Sequence, residues 1–132
     1  MMKKIVLTGF SFLLLWLAVF SNYALGEVSP YSNSVFGKKN LTATTSGVVT
    51  FTATLKHKGD ISVAACSVDR WNGEKWCFVK SLSVPDGKTG TLKYSASKDY
   101  ASSLMKGNTY RFRATYASGG EKVSVVSNAI TY

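Results

Sequence analysis

The sequence predicts an all-β protein: an antiparallel β-sandwich of about seven short strands behind an N-terminal secretory leader. Three observations carry that expectation. Apolar and polar residues alternate with period two, most cleanly where Val49, Phe51, Ala53 and Leu55 interleave with Thr50, Thr52, Thr54 and Lys56. Turn-forming residues recur between such stretches, at Asn72-Gly73, Pro85-Asp86-Gly87 and Ser118-Gly119-Gly120. The first residues read as an export signal: Lys3 and Lys4, an apolar run from Ile5 to Phe20, then small residues in Ala24-Leu25-Gly26.

Taken in order, residues 1–26 are expected to be a cleaved signal peptide. The apolar run is shorter than the roughly 20 residues that span a bilayer, and a peptidase site follows it. The mature protein is then expected to be secreted, with no stable membrane anchor left after cleavage. Residues 27–40 are polar and read as a loose arm or first edge strand. Residues 41–132 form the predicted sandwich domain, long enough to bury a core of its own.

Within that domain, Val49 to Lys56 is a half-buried strand that Lys58-Gly59-Asp60 is expected to turn. Ile61 to Arg70 follows, Asn72-Gly73 reverses it, and Lys75 to Val84 returns. In Pro85-Asp86-Gly87, Pro presets φ and Gly is expected to supply the reversed sign. Leu92, Tyr94 and Ala96 share one face of the next strand. Ser97 is placed to cap a short helix from Asp99 to about Met105, ended by Gly107. Tyr110, Phe112, Ala114 and Tyr116 alternate with Arg111, Arg113 and Thr115. Ser118-Gly119-Gly120 then leads into a last strand, Glu121 to Tyr132.

Lys and Arg number 16 against 7 Asp and Glu, a formal charge of +9. Losing Lys3 and Lys4 with the leader leaves most of that excess. It keeps a secreted protein soluble and draws it toward polyanions. The expected partners are an anionic cell-wall polymer, a glycan or a protein; no motif supports specific nucleic-acid binding.

Leu104-Met105-Lys106-Gly107-Asn108-Thr109-Tyr110 resembles the E–F corner of fibronectin type III and related immunoglobulin-like domains, with Lys106 where that corner usually has Pro. Cys66-Ser67-Val68-Asp69-Arg70, the Asn72-Gly73 turn and Lys75-Trp76 are similar to a hairpin in many secreted bacterial immunoglobulin-like modules. The chain as a whole is similar to short, uncharacterised exported proteins of Gram-positive bacteria. The resemblance implies an immunoglobulin-like sandwich in which the Tyr110 hydroxyl bonds back to the backbone and fixes the corner. It implies that Tyr110 to Ala114 is strand F and that Ser127 to Thr131 closes the sheet. It implies a fold and no activity.

Cys66 and Cys77 are the two cysteines. In an oxidising compartment a lone pair usually bonds, and a disulfide is expected. With Asn72 and Gly73 as the two turn residues, Val68 lies opposite Cys77 and Cys66 opposite Val79, so the cysteines sit on a diagonal. Bonding would then need a twist or a bulge. The same pairing puts Trp76, Phe78 and Leu82 on the opposite face. Either the cysteine face points at the core and Trp71, Trp76 and Phe78 form an exposed aromatic strip, or the reverse. The burial habit of large aromatics favours the reverse. Exposed rings would stack on sugars or anchor protein contacts. Arg111 and Arg113 point the same way on one strand, a row able to hold carboxylate or phosphate.

Enzyme chemistry has little to stand on. His57 is the only histidine, flanked by Lys56 and Lys58 at an expected turn. No phosphate loop and no H-E-x-x-H occurs. No catalytic residue, metal ligand or cofactor is expected. The chain therefore reads as a secreted, non-catalytic binding or surface-interaction protein. The rival reading is a secreted effector, such as a bacteriocin-like toxin or an enzyme inhibitor.

Overall fold

A computed structural model describes residues 34–132, with the compact unit spanning Val35–Tyr132. The expected leader, residues 1–26, and the arm as far as residue 33 lie outside the described residues. Among the described residues the protein is all-β: β1 (Phe36–Ala43), β2 (Val48–Trp71), β3 (Trp76–Ser81), β4 (Lys88–Asp99), β5 (Thr109–Ser118), β6 (Glu121–Val126) and β7 (Ile130–Thr131). Every pairing is antiparallel, and the seven strands form one sheet curled into a half-barrel.

The curl comes from β2, which runs unbroken for 24 residues. Its first half lies between β1 and β4, from Val49↔Ala43 and Val49↔Lys98 onward. Its second half lies between β3 and β5, with Ser67 opposite both Ser81 and Arg113. The turn expected at Lys58-Gly59-Asp60 is therefore a continuation. The β4 register slips twice there, between Thr54 and Ile61, as the strand leaves one set of partners for the other. Asp60 marks the changeover: its Oδ1 accepts from Gly90 N at 3.0 Å and its carbonyl accepts from Ser118 Oγ at 2.5 Å.

The buried face of β2 is Val49, Phe51, Ala53, Leu55, Ile61 and Val63, then Cys66 and Val68. The odd-numbered phase becomes even because a bulge falls between Val63 and Ala65. Such a bulge inserts one residue and re-aims those after it. From β5, Tyr110, Phe112, Ala114 and Tyr116 meet this face. Two aromatic contacts tie the halves together. Tyr94 of β4 meets Tyr116 of β5 edge-on at 6.4 Å, and the Tyr116 hydroxyl donates to Asn40 O of β1 at 2.6 Å. Tyr100 stacks on Phe112 at 5.9 Å. Burial raises the pKa of Tyr94, Tyr100 and Tyr116, so these hydroxyls stay neutral donors.

Four local expectations are corrected. The helix from Asp99 is a single 3₁₀ turn, Ala101–Ser103. Ser97 does not cap it; it stays in β4 opposite Thr50, with the two hydroxyls 3.1 Å apart. Gly87 is not needed for a positive φ, which it lacks. A Cβ there would lie 2.8 Å from Ile61 O and 2.9 Å from Ser62 Cβ, so only glycine lets the chain pass. The closing segment is two strands, because Ser127 leaves the ladder with its Oγ accepting from Phe112 N and donating to Asn128 O.

The fourth correction concerns the hairpin. Its loop is four residues, Asn72 to Lys75, not two. Asn72 Oδ1 accepts from Glu74 N and Lys75 N, and Gly73 takes φ 102°. That side-chain turn moves the register: Trp71 faces Trp76, Arg70 faces Cys77, and a further slip follows between Val68 and Asp69. Leu82 now lies across from Cys66, its N–H bonding Cys66 O. Cys77 is thus four residues along the strand from Cys66, about 13 Å at ~3.3 Å per residue. A disulfide requires Cα atoms within about 7 Å, and both thiols are free.

Tyr110, the second residue of β5, ties down the loop before it. Its hydroxyl accepts from Met105 N at 2.9 Å and from Asn108 Nδ2 at 3.3 Å. Tyr110→Phe leaves the Met105 N–H without this acceptor and is expected to cost about 1–3 kcal/mol, read by urea unfolding. The thiols give a second prediction. Burial pushes the Cys66 thiol up to about 11, against partial relief from Tyr100 and the Ser67 backbone. A thiol reagent at mildly alkaline pH should label one cysteine of the native protein, the half-buried Cys77, and reach Cys66 only in denaturant. No labelling without prior reduction would mean that the two are bonded after all.

Candidate functional site

The register on the second half of β2 decides which side chains share the outer face. Directly paired residues point the same way, and alternate rows face out. Three such rows run across the sheet. The first is Trp76 and Trp71. The second is Phe78, Asp69 and Arg111. The third is Ser81, Ser67, Arg113 and Val126. Of the two arrangements open from the sequence, the structure has the cysteine-side residues Cys66 and Val68 inside and the aromatics outside. Phe78 is 60 % exposed and Trp71 39 %, while Trp76 is half-buried.

Asp69 organises this face. It is 2 % exposed although it points away from the core, because its own neighbours cover it. Arg111 Nε donates to its Oδ2 at 2.9 Å and Arg113 Nη2 donates to its Oδ1 at 2.9 Å. A buried carboxylate is held when each oxygen has a charged donor, as here. The clamp also aims Arg111: its guanidinium lies over the Trp76 ring at 4.7 Å, and Trp76 meets Trp71 edge-on at 5.2 Å. Cation–π stacking and edge-to-face packing each prefer such spacings. The result is a platform of Trp71, Trp76, Arg111, Asp69 and Arg113, with Phe78 standing beside it.

The sequence-predicted contact residues Trp71, Trp76, Phe78, Arg111 and Arg113 are thus brought to one face. Two matters differ from the expectation. The arginines are not a free fork pair, since each already gives one N–H to Asp69. Cys66 and Cys77 take no part in the face as a bonded pair. Sequence reasoning missed Asp69, whose signal was an acid on an outward position of β2 between Val68 and Arg70. It also missed Ser67, Thr115 and Ser124. Their small side chains floor a groove of about 290 Å³ between Phe78 and Val126.

Among the described residues, no group of three His, Cys, Asp or Glu side chains is arranged to hold a metal ion. Chemically the face can stack, donate hydrogen bonds and attract one negative group. No protein-family model and no curated protein matches the chain.

Asp69→Asn tests the clamp. Removing the charge leaves two guanidiniums without their shared carboxylate, at a cost of about 1–3 kcal/mol for charge-assisted bonds. The same variant should gain salt-sensitive retention on anionic polymers, because Arg111 and Arg113 are released from a neutralising partner. Lower stability with unchanged retention would show that the arginines serve the fold alone.

Proposed function

We infer that the chain is a secreted, non-catalytic binding module of fibronectin-like sandwich architecture that contacts an anionic glycan or cell-envelope polymer through the outer face of β2, β3 and β5. The observation that carries this reading is the exposed aromatic–arginine platform locked by a buried Asp69. Leaving Trp71 and Phe78 in water costs stability that their burial would have supplied. The clamp that orders Arg111 over Trp76 fixes a surface the core does not need.

Several features support the architecture. The pairings fall into two groups joined through β2, β1–β2–β4 and β3–β2–β5 with β6 and β7, as the two layers of a sandwich would require. Tyr110 bonding back to Met105 N matches the corner device. The contacts of Tyr94 and Asn40 with Tyr116 link those groups through their inner faces. The leader-like sequence of residues 1–26 supports export.

Retention of the mature domain on isolated envelope fractions, at low and at high salt, tests the binding reading. Screening removes diffuse attraction to lysines but spares stacking on desolvated rings. The expected result is retention that persists at high salt and falls with Trp76→Ala. Retention that vanishes at high salt and ignores Trp76→Ala would move binding to the general basic charge. No retention at either salt would remove the envelope reading.

A further inference from the structure

The groove beside the platform has a chemistry of its own. Its floor is Ser67, Thr115 and Ser124, with the Thr115 and Ser124 hydroxyls 3.0 Å apart. One wall is Phe78 and the other is Val126, itself 51 % exposed. Arg113 lines the groove at its Asp69 end, where its guanidinium is held by that carboxylate. Among the described residues no carboxylate lines it. Two guanidiniums share one carboxylate on this face, so one positive charge is in excess. Arg113 carries it outward, since its bond to Asp69 uses one of five N–H donors and its side chain is 44 % exposed.

Two apolar walls, a hydroxyl floor and one cation are complementary to a ring with an apolar face, several hydroxyls and one negative group. We propose that this groove binds a uronic-acid sugar unit, with the pyranose face against Phe78, its hydroxyls toward Ser67 and the Thr115–Ser124 pair, and its carboxylate on Arg113. Guanidinium forks match carboxylates in plane, and aromatic rings stack on sugar faces. A dense polyanion fits less well. A nucleic-acid strand needs a basic track along successive phosphates, and here one excess charge is available. The proposal deepens the binding reading above and rests on that face being a binding surface; it names the ligand class and the groove that takes it.

The test is titration of the mature domain with trigalacturonate, followed by calorimetry or amide shifts. Its methyl ester, inorganic polyphosphate and a short single-stranded DNA serve as comparison probes. Phe78→Ala and Val126→Glu alter exposed walls, so folding is retained, and circular dichroism confirms it. Saturable binding of trigalacturonate that weakens about tenfold or more with each of the two variants supports the groove, a change near 1.4 kcal/mol. The methyl ester should bind far more weakly, and Thr52→Ala, on the first half of β2, should change nothing. Polyphosphate or DNA binding at least as tightly, with the same variant dependence, overturns the sugar assignment. Envelope retention that depends on Trp76 without trigalacturonate binding, or binding that ignores Val126→Glu, overturns the groove and leaves the platform standing. Absence of both overturns the two readings together.

Discussion

One strand has to satisfy two sets of neighbours, and the rest of the structure follows from how it does so. β2 pairs with β1 and β4 over its first half and with β3 and β5 over its second. A strand that changes partners must keep its apolar side on the inside throughout, because side chains alternate and a one-residue slip exposes the whole set. The slips near Gly59 and the bulge between Val63 and Ala65 make that adjustment. The bulge converts an odd-numbered buried face into an even-numbered one, so Cys66 and Val68 go in and Ser67 and Asp69 go out. Without it, the register set by Val63↔Tyr116 would bring Asp69 opposite Tyr110 on the inner face and the core would hold a charge. Fold and face are thus set by the same local irregularity.

Period-two patterning made the strands legible, since Val49 to Leu55 and Tyr110 to Tyr116 bury one side of a sheet and need nothing beyond local alternation. The continuity of β2 was not legible. Lys58-Gly59-Asp60 has turn composition, and only pairing with Gly90 and Ser118 shows that the chain runs on. The hairpin register failed for a related reason. Asn72-Gly73 is a two-residue turn signal by backbone preference, but the Asn72 carboxamide closes a longer loop by accepting from Glu74 and Lys75. That difference moved Cys77 away from Cys66 rather than toward it. Redox context gave a reason for two cysteines to bond; geometry gave them no means.

The candidate face was half legible for the same cause. Trp71, Trp76, Phe78, Arg111 and Arg113 could be named because their types are those that contact ligands. Whether the rings lay inside or outside depended on register, which composition does not carry. Large aromatics are usually mostly buried, and that habit pointed the wrong way here. Asp69 escaped notice because an acid on a strand has no role until its cross-strand neighbours are known. Across from it stand Phe78 on one side and Arg111 on the other, with Arg113 reaching over from the next row.

This arrangement bears on how a basic protein can be selective. A net positive surface attracts any polyanion, and such attraction is long-ranged and screened by salt. Asp69 offsets one of the two charges that Arg111 and Arg113 carry and fixes the directions of both. What the clamped face adds is short-ranged: oriented N–H groups, ring faces and a hydroxyl-floored groove. On the binding reading proposed above, lysines elsewhere on the surface would raise the rate of encounter and the clamped face would decide what is kept. A buried ion pair is weak evidence for stability, because desolvation offsets much of its attraction. Holding Asp69 under two partly exposed arginines is easier to understand as the cost of keeping those arginines aimed than as a contribution to the core, which Phe51, Phe112 and Tyr116 already fill from the other side of the sheet.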